Sequence, residues 1–130
     1  MLFTLEVKTS KRVELIDITN LIYEKLKLSG VENGLCTIYT PHTTCAITIN
    51  ENADPAVKSD IIKFLNEKIP QNFPFKHYEG NSDAHIKSSL VGCSEAVIIE
   101  NKKLLLGTWQ GIYFCEFDGP RVRKIYVKFH

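Results

Sequence analysis

"AVIIENKKLLLGTWQGIYFCEFDGPRVRKIYVKFH", Ala96 to His130, reads as strand after strand. The runs are "AVIIE", "KLLLGTW", "GIYFCEF" and "RKIYVKFH", broken at Asn101-Lys102 and at Asp118-Gly119-Pro120, where turn-forming residues gather. Within them "VII", "LLL" and "IYF" do not alternate. A strand that is apolar on both faces must be covered on both faces. Short helices cover one face of so wide a sheet, and the other face must meet a second sheet or another subunit.

The helices are found upstream. "LFTLEVKT" alternates and "RVELIDI" is apolar-rich, so both read as strands. Asp17 or Thr19 caps a helix through "NLIYEKLKLSG", with a stripe of Ile18, Leu21, Ile22 and Leu26 and a left-handed stop at Gly30. "GLCTIYT" and "TTCAITIN" follow as strands around the turn Pro41-His42. Asp54 caps a second helix with Pro55 in its first position, and Pro70 ends it. Gln71 to Ser82 has no clear periodicity, which marks a loop where function gathers. "SDAHIKSSLVG" is a third, short helix, capped by Ser82 or Asp83 and stopped by Gly92. The expectation is one α+β domain over residues 1–130, with a large mixed, mostly antiparallel sheet or sandwich and two to three helices, assembled as a homo-oligomer.

The chain is 130 residues long, with 16 Lys and Arg against 15 Asp and Glu. Near-neutral charge without a basic stripe argues against nucleic acid or a membrane surface as partner. No apolar run approaches the ~20 residues that span a bilayer. Cys36, Cys45, Cys93 and Cys115 form no C-x-x-C pair, and three lie in apolar runs. They read as free thiols in a reducing, cytoplasmic setting.

Candidate chemistry centres on "TPHTTCAITINEN", Thr40 to Asn52, a strand polar at both ends and apolar in its middle. His42 lies at its entry, His77 in the irregular loop and His85 at the start of the third helix. Thr43, Glu79 and Asp83 stand near enough in sequence to orient the three rings. The spacing matches no compact zinc signature, so either these are three hydrogen-bonded surface histidines or they meet in space as a metal site with an open position. Asn50, Glu51, Asn52 and Asp54 offer oxygen ligands for Mg²⁺ or a polar substrate, or simply a turn and a helix cap. Ser82 stands at a helix start, where free N–H groups attract anions. Lys87 either meets a phosphate or is solvated. In "GTWQG", Gly107 to Gly111, two glycines frame the only Trp. A bulge with Trp109 and Gln110 suits a flat heterocycle, or is a core Trp beside a bulge. Glu116 lies in an apolar strand and is either turned outward or partnered.

"TPHTTCAITINENADPAV", "EGNSDAHIKSSLVG" and "LLLGTWQGIYFCEFDGPRVRKIYV" follow one another in the order and spacing of one family. On these motifs the chain resembles the secondary thiamine-phosphate synthase family, small trimeric YjbQ-like proteins. The resemblance implies a homotrimeric α+β fold. It implies a transferase in thiamine biosynthesis that joins a pyrimidine-methyl diphosphate to a thiazole phosphate and releases diphosphate. It implies His42, His77 and His85 as the metal or catalytic cluster, with Asn81, Trp109, Gln110 and Glu116 on motif positions. A divalent ion, Zn²⁺ by ligand type or Mg²⁺ by reaction type, would stabilise the leaving group. The rival readings are a metal-dependent hydrolase of a small phosphorylated substrate and a non-catalytic metal- or ligand-binding trimer.

Overall fold

A computed structural model describes residues 1–130. Eight strands and three helices run in the order β1 (Leu2–Lys8), β2 (Glu14–Asp17), α1 (Thr19–Ser29), β3 (Gly34–Tyr39), β4 (Cys45–Glu51), α2 (Pro55–Lys68), α3 (Ser82–Val91), β5 (Ser94–Glu100), β6 (Lys103–Leu104), β7 (Gln110–Glu116) and β8 (Val122–Phe129). They form an α+β domain. A five-stranded sheet, β1-β8-β3-β5-β6, faces a three-stranded sheet, β2-β7-β4. Every strand pairing is antiparallel.

Strand β7 explains the layering. Its even positions Ile112 and Phe114 enter the larger core, between the two sheets and α1. Its odd positions Tyr113 and Cys115 enter a smaller core, with Leu15, Ala46, Ala84 and Phe117. Successive strand residues point to opposite faces, so "IYFC" is apolar throughout because the second sheet covers one face and α2 and α3 cover the other. The two-sided burial expected from the sequence is thus met within one chain at β7.

It is not met in the five-stranded sheet. Val97 and Ile99 are buried, but Ile98 between them is exposed. Leu104 is buried and Leu105 is exposed. On the same outer face Leu35 pairs with Ile98, and Tyr39 stacks on Tyr126 at 6.3 Å. Nothing in the chain covers these side chains. "KLLLGTW" also differs from expectation, since only Lys103–Leu104 is strand. Leu105 still donates its N–H to the Ile98 carbonyl, Leu106 to Thr108 leave the ladder, and Gln110 Oε1 accepts the Gly107 N–H to close the turn.

The helix stops and the Asp54 cap hold, but Ile18, and not Asp17 or Thr19, is the N-cap of α1, and its side chain makes no cap bond. Asp17 Oδ1 accepts from the Thr19 backbone at 2.9 Å, Gly30 is left-handed at φ 70°, and Asp54 Oδ1 accepts from the Ala56 N–H at 2.9 Å. Asn81, and not Ser82 or Asp83, precedes the first turn of α3. Helix α2 has no fully buried residue and rests on the smaller core through Ile61, Ile62 and Leu65. No helix is long and apolar enough to cross a membrane.

Phe114 is fully buried at the centre of the larger core. Phe114→Ala is expected to cost about 3–5 kcal/mol of stability, read as a lowered denaturation midpoint at unchanged slope. A loss under ~1 kcal/mol would mean that the two sheets do not depend on β7.

Candidate functional site

Polar side chains gather where β7 ends and β8 begins. Glu116 is fully buried in an apolar strand, so its charge needs a partner. Arg123 supplies it: Nε donates to Oε2 at 2.6 Å and Nη2 to Oε1 at 2.7 Å. Arg123 Nη2 also donates to Thr44 Oγ1 at 2.9 Å, and the Asp118 N–H donates to Glu116 Oε1 at 3.1 Å. Glu116 is therefore the partnered alternative of the two read from sequence. Both its oxygens are engaged, and it holds Arg123 rather than facing solvent. Burial is the largest influence and works against the Arg123 charge, but the hydrogen bonds to Glu116 together with the charges of Cys45, Glu116 and Asp118 outweigh it and hold the guanidinium pKa above its ordinary value.

His42 sits over this network in the β3–β4 turn. Its Nε2 accepts the Lys124 backbone N–H at 2.9 Å, which makes that nitrogen the unprotonated one and leaves Nδ1 to carry the proton. The expected orienting residue, Thr43, is replaced by this backbone donor. Burial lowers the His42 pKa, and the charge of Arg123 lowers it further, reinforced by Lys124 and Arg121 and opposed by Glu116. The field at the ring is net positive.

Across from it stands α3. A cavity of about 490 Å³ is lined by Thr40, His42, Thr43, His85, Ser89 and Cys93, among others. Ser88 hydrogen-bonds the Cys45 carbonyl and fixes α3 on β4. On the other side of His85, the ring of His77 makes an edge contact at 5.6 Å between centroids. His77 also lies 3.7 Å from Glu79. Asp83, expected to orient His85, is turned away and bonds Arg12 and Lys87. Lys87 is neither solvated nor beside His85, and its ammonium is buried. His85 thus adjoins both of the other histidines. Even so, no three His, Cys, Asp or Glu side chains of the chain come together to hold a metal ion. The expected three-histidine metal centre is corrected on that ground.

The other half of the expected site lies elsewhere. Cys45 pairs with Glu116, and Glu51 pairs with Gln110. Six strand steps separate these ends, about 20 Å at ~3.3 Å per residue. Asn50, Glu51, Trp109 and Gln110 therefore occupy the far rim of β4 and β7. There Asn52 Nδ2 donates to Asp17 Oδ2 at 3.0 Å and Glu51 Oε2 accepts the Asp54 N–H at 3.2 Å. A Cβ at Gly111 would collide with the Asn52 side chain, which is why a glycine stands there. Trp109 is not a core residue, with 62 % of its surface exposed. Asn81 stands near the first end: its Nδ2 donates to Asp118 Oδ2 at 2.8 Å, while its buried Oδ1 has no partner. Ser82 lies beside His77 and His85.

Sequence reading passed over Arg12, Arg123 and Cys93. Arg123 had a signal, because a carboxylate on an apolar strand calls for a cation on the neighbouring hairpin. Arg12 and Cys93 had none.

A family model described as UPF0047 protein YjbQ-like matches residues 3–130. The UPF0047 protein MJ1081 of Methanocaldococcus jannaschii is 63% identical over 128 residues, 98% of this chain and 93% of that protein. UPF0047 protein YugU of Bacillus subtilis is 56% identical over 129 residues, 98% of each chain. A crystal structure of a yjbq/upf0047 family protein from Clostridium acetobutylicum superposes with TM-score 0.97 at 55% identity, covering 98% of this chain and 99% of that one. A hypothetical protein, APE1520, from Aeropyrum pernix superposes with TM-score 0.96 at 36% identity, over 100% and 98% of the two chains.

The chain belongs to the UPF0047 YjbQ-like family. The YjbQ-like part of the resemblance read from the motifs agrees with this, and the thiamine-phosphate synthase family attached to it is corrected. The matching family and three of these relatives are described as UPF0047 or YjbQ-like proteins, the Aeropyrum protein is described as hypothetical, and none is described as a thiamine-phosphate synthase. The synthase assignment, the transferase activity and the place in thiamine biosynthesis fall with it. The hydrolase and the non-catalytic metal- or ligand-binding rivals gain no support in their place.

Two measurements check the site. The His42 imidazole is expected to titrate below its ordinary 6.5 in an NMR pH series. A depressed folded pKa means that stability is fully present above the unfolded value and lost as pH falls through the folded one; His42→Gln should remove that acid-side loss. Glu116→Ala leaves the Arg123 charge buried without its partner and should cost about 3–5 kcal/mol in chemical denaturation. A His42 pKa at or above 6.5 would contradict the positive field.

Proposed function

We propose that the chain binds a small phosphorylated molecule in the groove between the β3–β4 turn and α3, and that subunits of a homotrimer complete that groove. The observation that supports the first part is the positive field on His42 from Arg123, Lys124 and Arg121. An anion lowers the energy of that arrangement, and the Thr43 hydroxyl and the His85 ring line the same groove to donate to phosphate oxygens, while the Ser89 hydroxyl donates to the His85 carbonyl.

Two features support the trimer. The outer face of the five-stranded sheet exposes Leu35, Tyr39, Ile98 and Leu105, and Tyr39 also borders the groove. Exposed apolar side chains sharing one sheet face mark an interface. In addition, the two polar rims of β4 stand about 20 Å apart in one chain. Contacts around a threefold axis are head-to-tail and join two different surfaces. In this reading the Trp109–Gln110 rim of one copy closes over the His42–His85 groove of the next and receives the organic part of the ligand. A divalent cation belongs to the proposal as a companion of the phosphate, because one chain does not gather three ligands for it. The setting is cytoplasmic, in keeping with four free cysteines, three of them buried.

Sedimentation equilibrium should give three times the 14.8 kDa chain mass, and a stable monomer at micromolar concentration would overturn the assembly. The sole tryptophan provides a second reading: its emission should shift to the blue on assembly, and emission typical of a solvated indole in the trimer would detach the Trp109 rim from the groove. Inorganic phosphate, titrated with and without Mg²⁺, should raise the His42 pKa and bind at least tenfold more weakly to His85→Ala. Equal binding by wild type and His85→Ala would remove the groove as the site.

A further inference from the structure

On the face of α3 turned away from His85, the structure builds a second charged cavity. Asp83 and Lys87 stand one helical turn apart, at 0% and 1% side-chain exposure, with Nζ to Oδ2 at 2.8 Å. Arg12, from the β1–β2 connection, closes a two-pronged pair on the same carboxylate, Nη1 to Oδ2 at 3.1 Å and Nη2 to Oδ1 at 2.9 Å. Lys87 Nζ also donates to Asn66 Oδ1 of α2 at 2.8 Å. These groups wall a cavity of about 520 Å³ whose remaining lining is Val13, Pro70, Gln71 and Asn72.

The inventory of protons decides what the cavity can hold. Asp83 is acceptor-only and both its oxygens are taken. Lys87 carries three protons and uses two. Arg12 Nε makes no hydrogen bond, and the Asn66 amide is oriented by Lys87 so that its Nδ2 is free. The charges do not cancel either, since two cations share one carboxylate. Lys87 is buried against Asp83, and the surplus charge falls on Arg12, which is 29% exposed and faces the open side of the cavity. The start of α3 adds positive character at Asp83. The last turn of α2 opposes it by about half a charge, and Lys68 in that turn offsets this.

From this juxtaposition of surplus donors, one surplus positive charge and an open cavity, we infer a second ligand site, for a small oxyanion, a phosphate or carboxylate group, held by Arg12, Lys87 and Asn66. It is separate from the His42–His85 groove, because positions 83 and 87 occupy one face of α3 and positions 85 and 89 another.

The test is an NMR titration of the intact protein with inorganic phosphate and, separately, with succinate. The Arg12 Nε–H and, where Asn66 is retained, its side-chain amide report this cavity, and the His85 ring reports the groove. The expected result is a saturable shift of the Asn66 amide whose midpoint differs from that of His85. Asn66→Asp retains an oxygen for Lys87 while placing a negative charge in the cavity, and should weaken the anion at least tenfold at an unchanged thermal midpoint. Asn72→Asp on the exposed rim makes the same electrostatic change without touching the ion cluster, and should weaken binding in the same direction even if Asn66→Asp does not fold. Tighter phosphate assigns a phosphoryl ligand, and tighter succinate a carboxylate. No saturable shift with either anion, or equal affinity in the folded Asp variants, overturns the site. Loss of the His85 response alone would touch only the groove.

Discussion

The buried pair of Glu116 and Arg123 joins the two sheets. Glu116 ends β7 in the three-stranded sheet and Arg123 is the second residue of β8 in the five-stranded one. Two bonds of 2.6 and 2.7 Å cross between them with neither charge exposed. A buried ion pair is a weak source of net stability, because desolvating both charges offsets their attraction. Its effect is on position. Arg123 also donates to Thr44 at the entry of β4 and to the Asp118 carbonyl at 3.4 Å. Cys45 Sγ lies 3.4 Å from the same carboxylate. Four chain segments are thereby held in one register at the end of the molecule where His42 lies.

That register carries into the site. Lys124 follows Arg123, so its backbone N–H is fixed where it can donate to His42 Nε2. The imidazole is set in one tautomer by a strand whose own placement depends on a buried carboxylate. The cation that pairs with Glu116 also depresses the pKa of His42. One interaction therefore sets the geometry of the groove, and its cation adds to the burial that lowers the His42 pKa. Helix α3 then divides two environments. His85 and Ser89 face the groove, and Asp83 and Lys87 face the cavity of Arg12 and Asn66. Ten residues can serve both because 3.6 residues per turn separates the two faces.

The thiols follow the same burial. Burial raises the Cys36 and Cys115 pKa values to about 12. Cys45 is pushed higher still, by burial and then by the charge of Glu116. These three are inert packing residues. Cys93 alone is exposed, at the mouth of the groove.

The sequence by itself determined the elements, their type and most of their ends. Asp54 before Pro55, Gly30 after Leu28-Ser29 and the alternation of "LFTLEVK" act through neighbours a few residues away, and local physics suffices for those. It also determined that β7 is covered on both faces, since five consecutive non-polar positions, Gly111 to Cys115, allow no polar side. Tertiary structure decided the rest, because strand pairing brings together residues that no local rule connects. It put Arg123 against Glu116, Arg12 against Asp83 and Lys124 against His42. It separated His42 from Trp109 by the length of β4, although the motifs holding them read as one site. And it left the second faces of "VII" and "LLL" uncovered, because a chain of this length supplies layers for one side of its larger sheet and not for both.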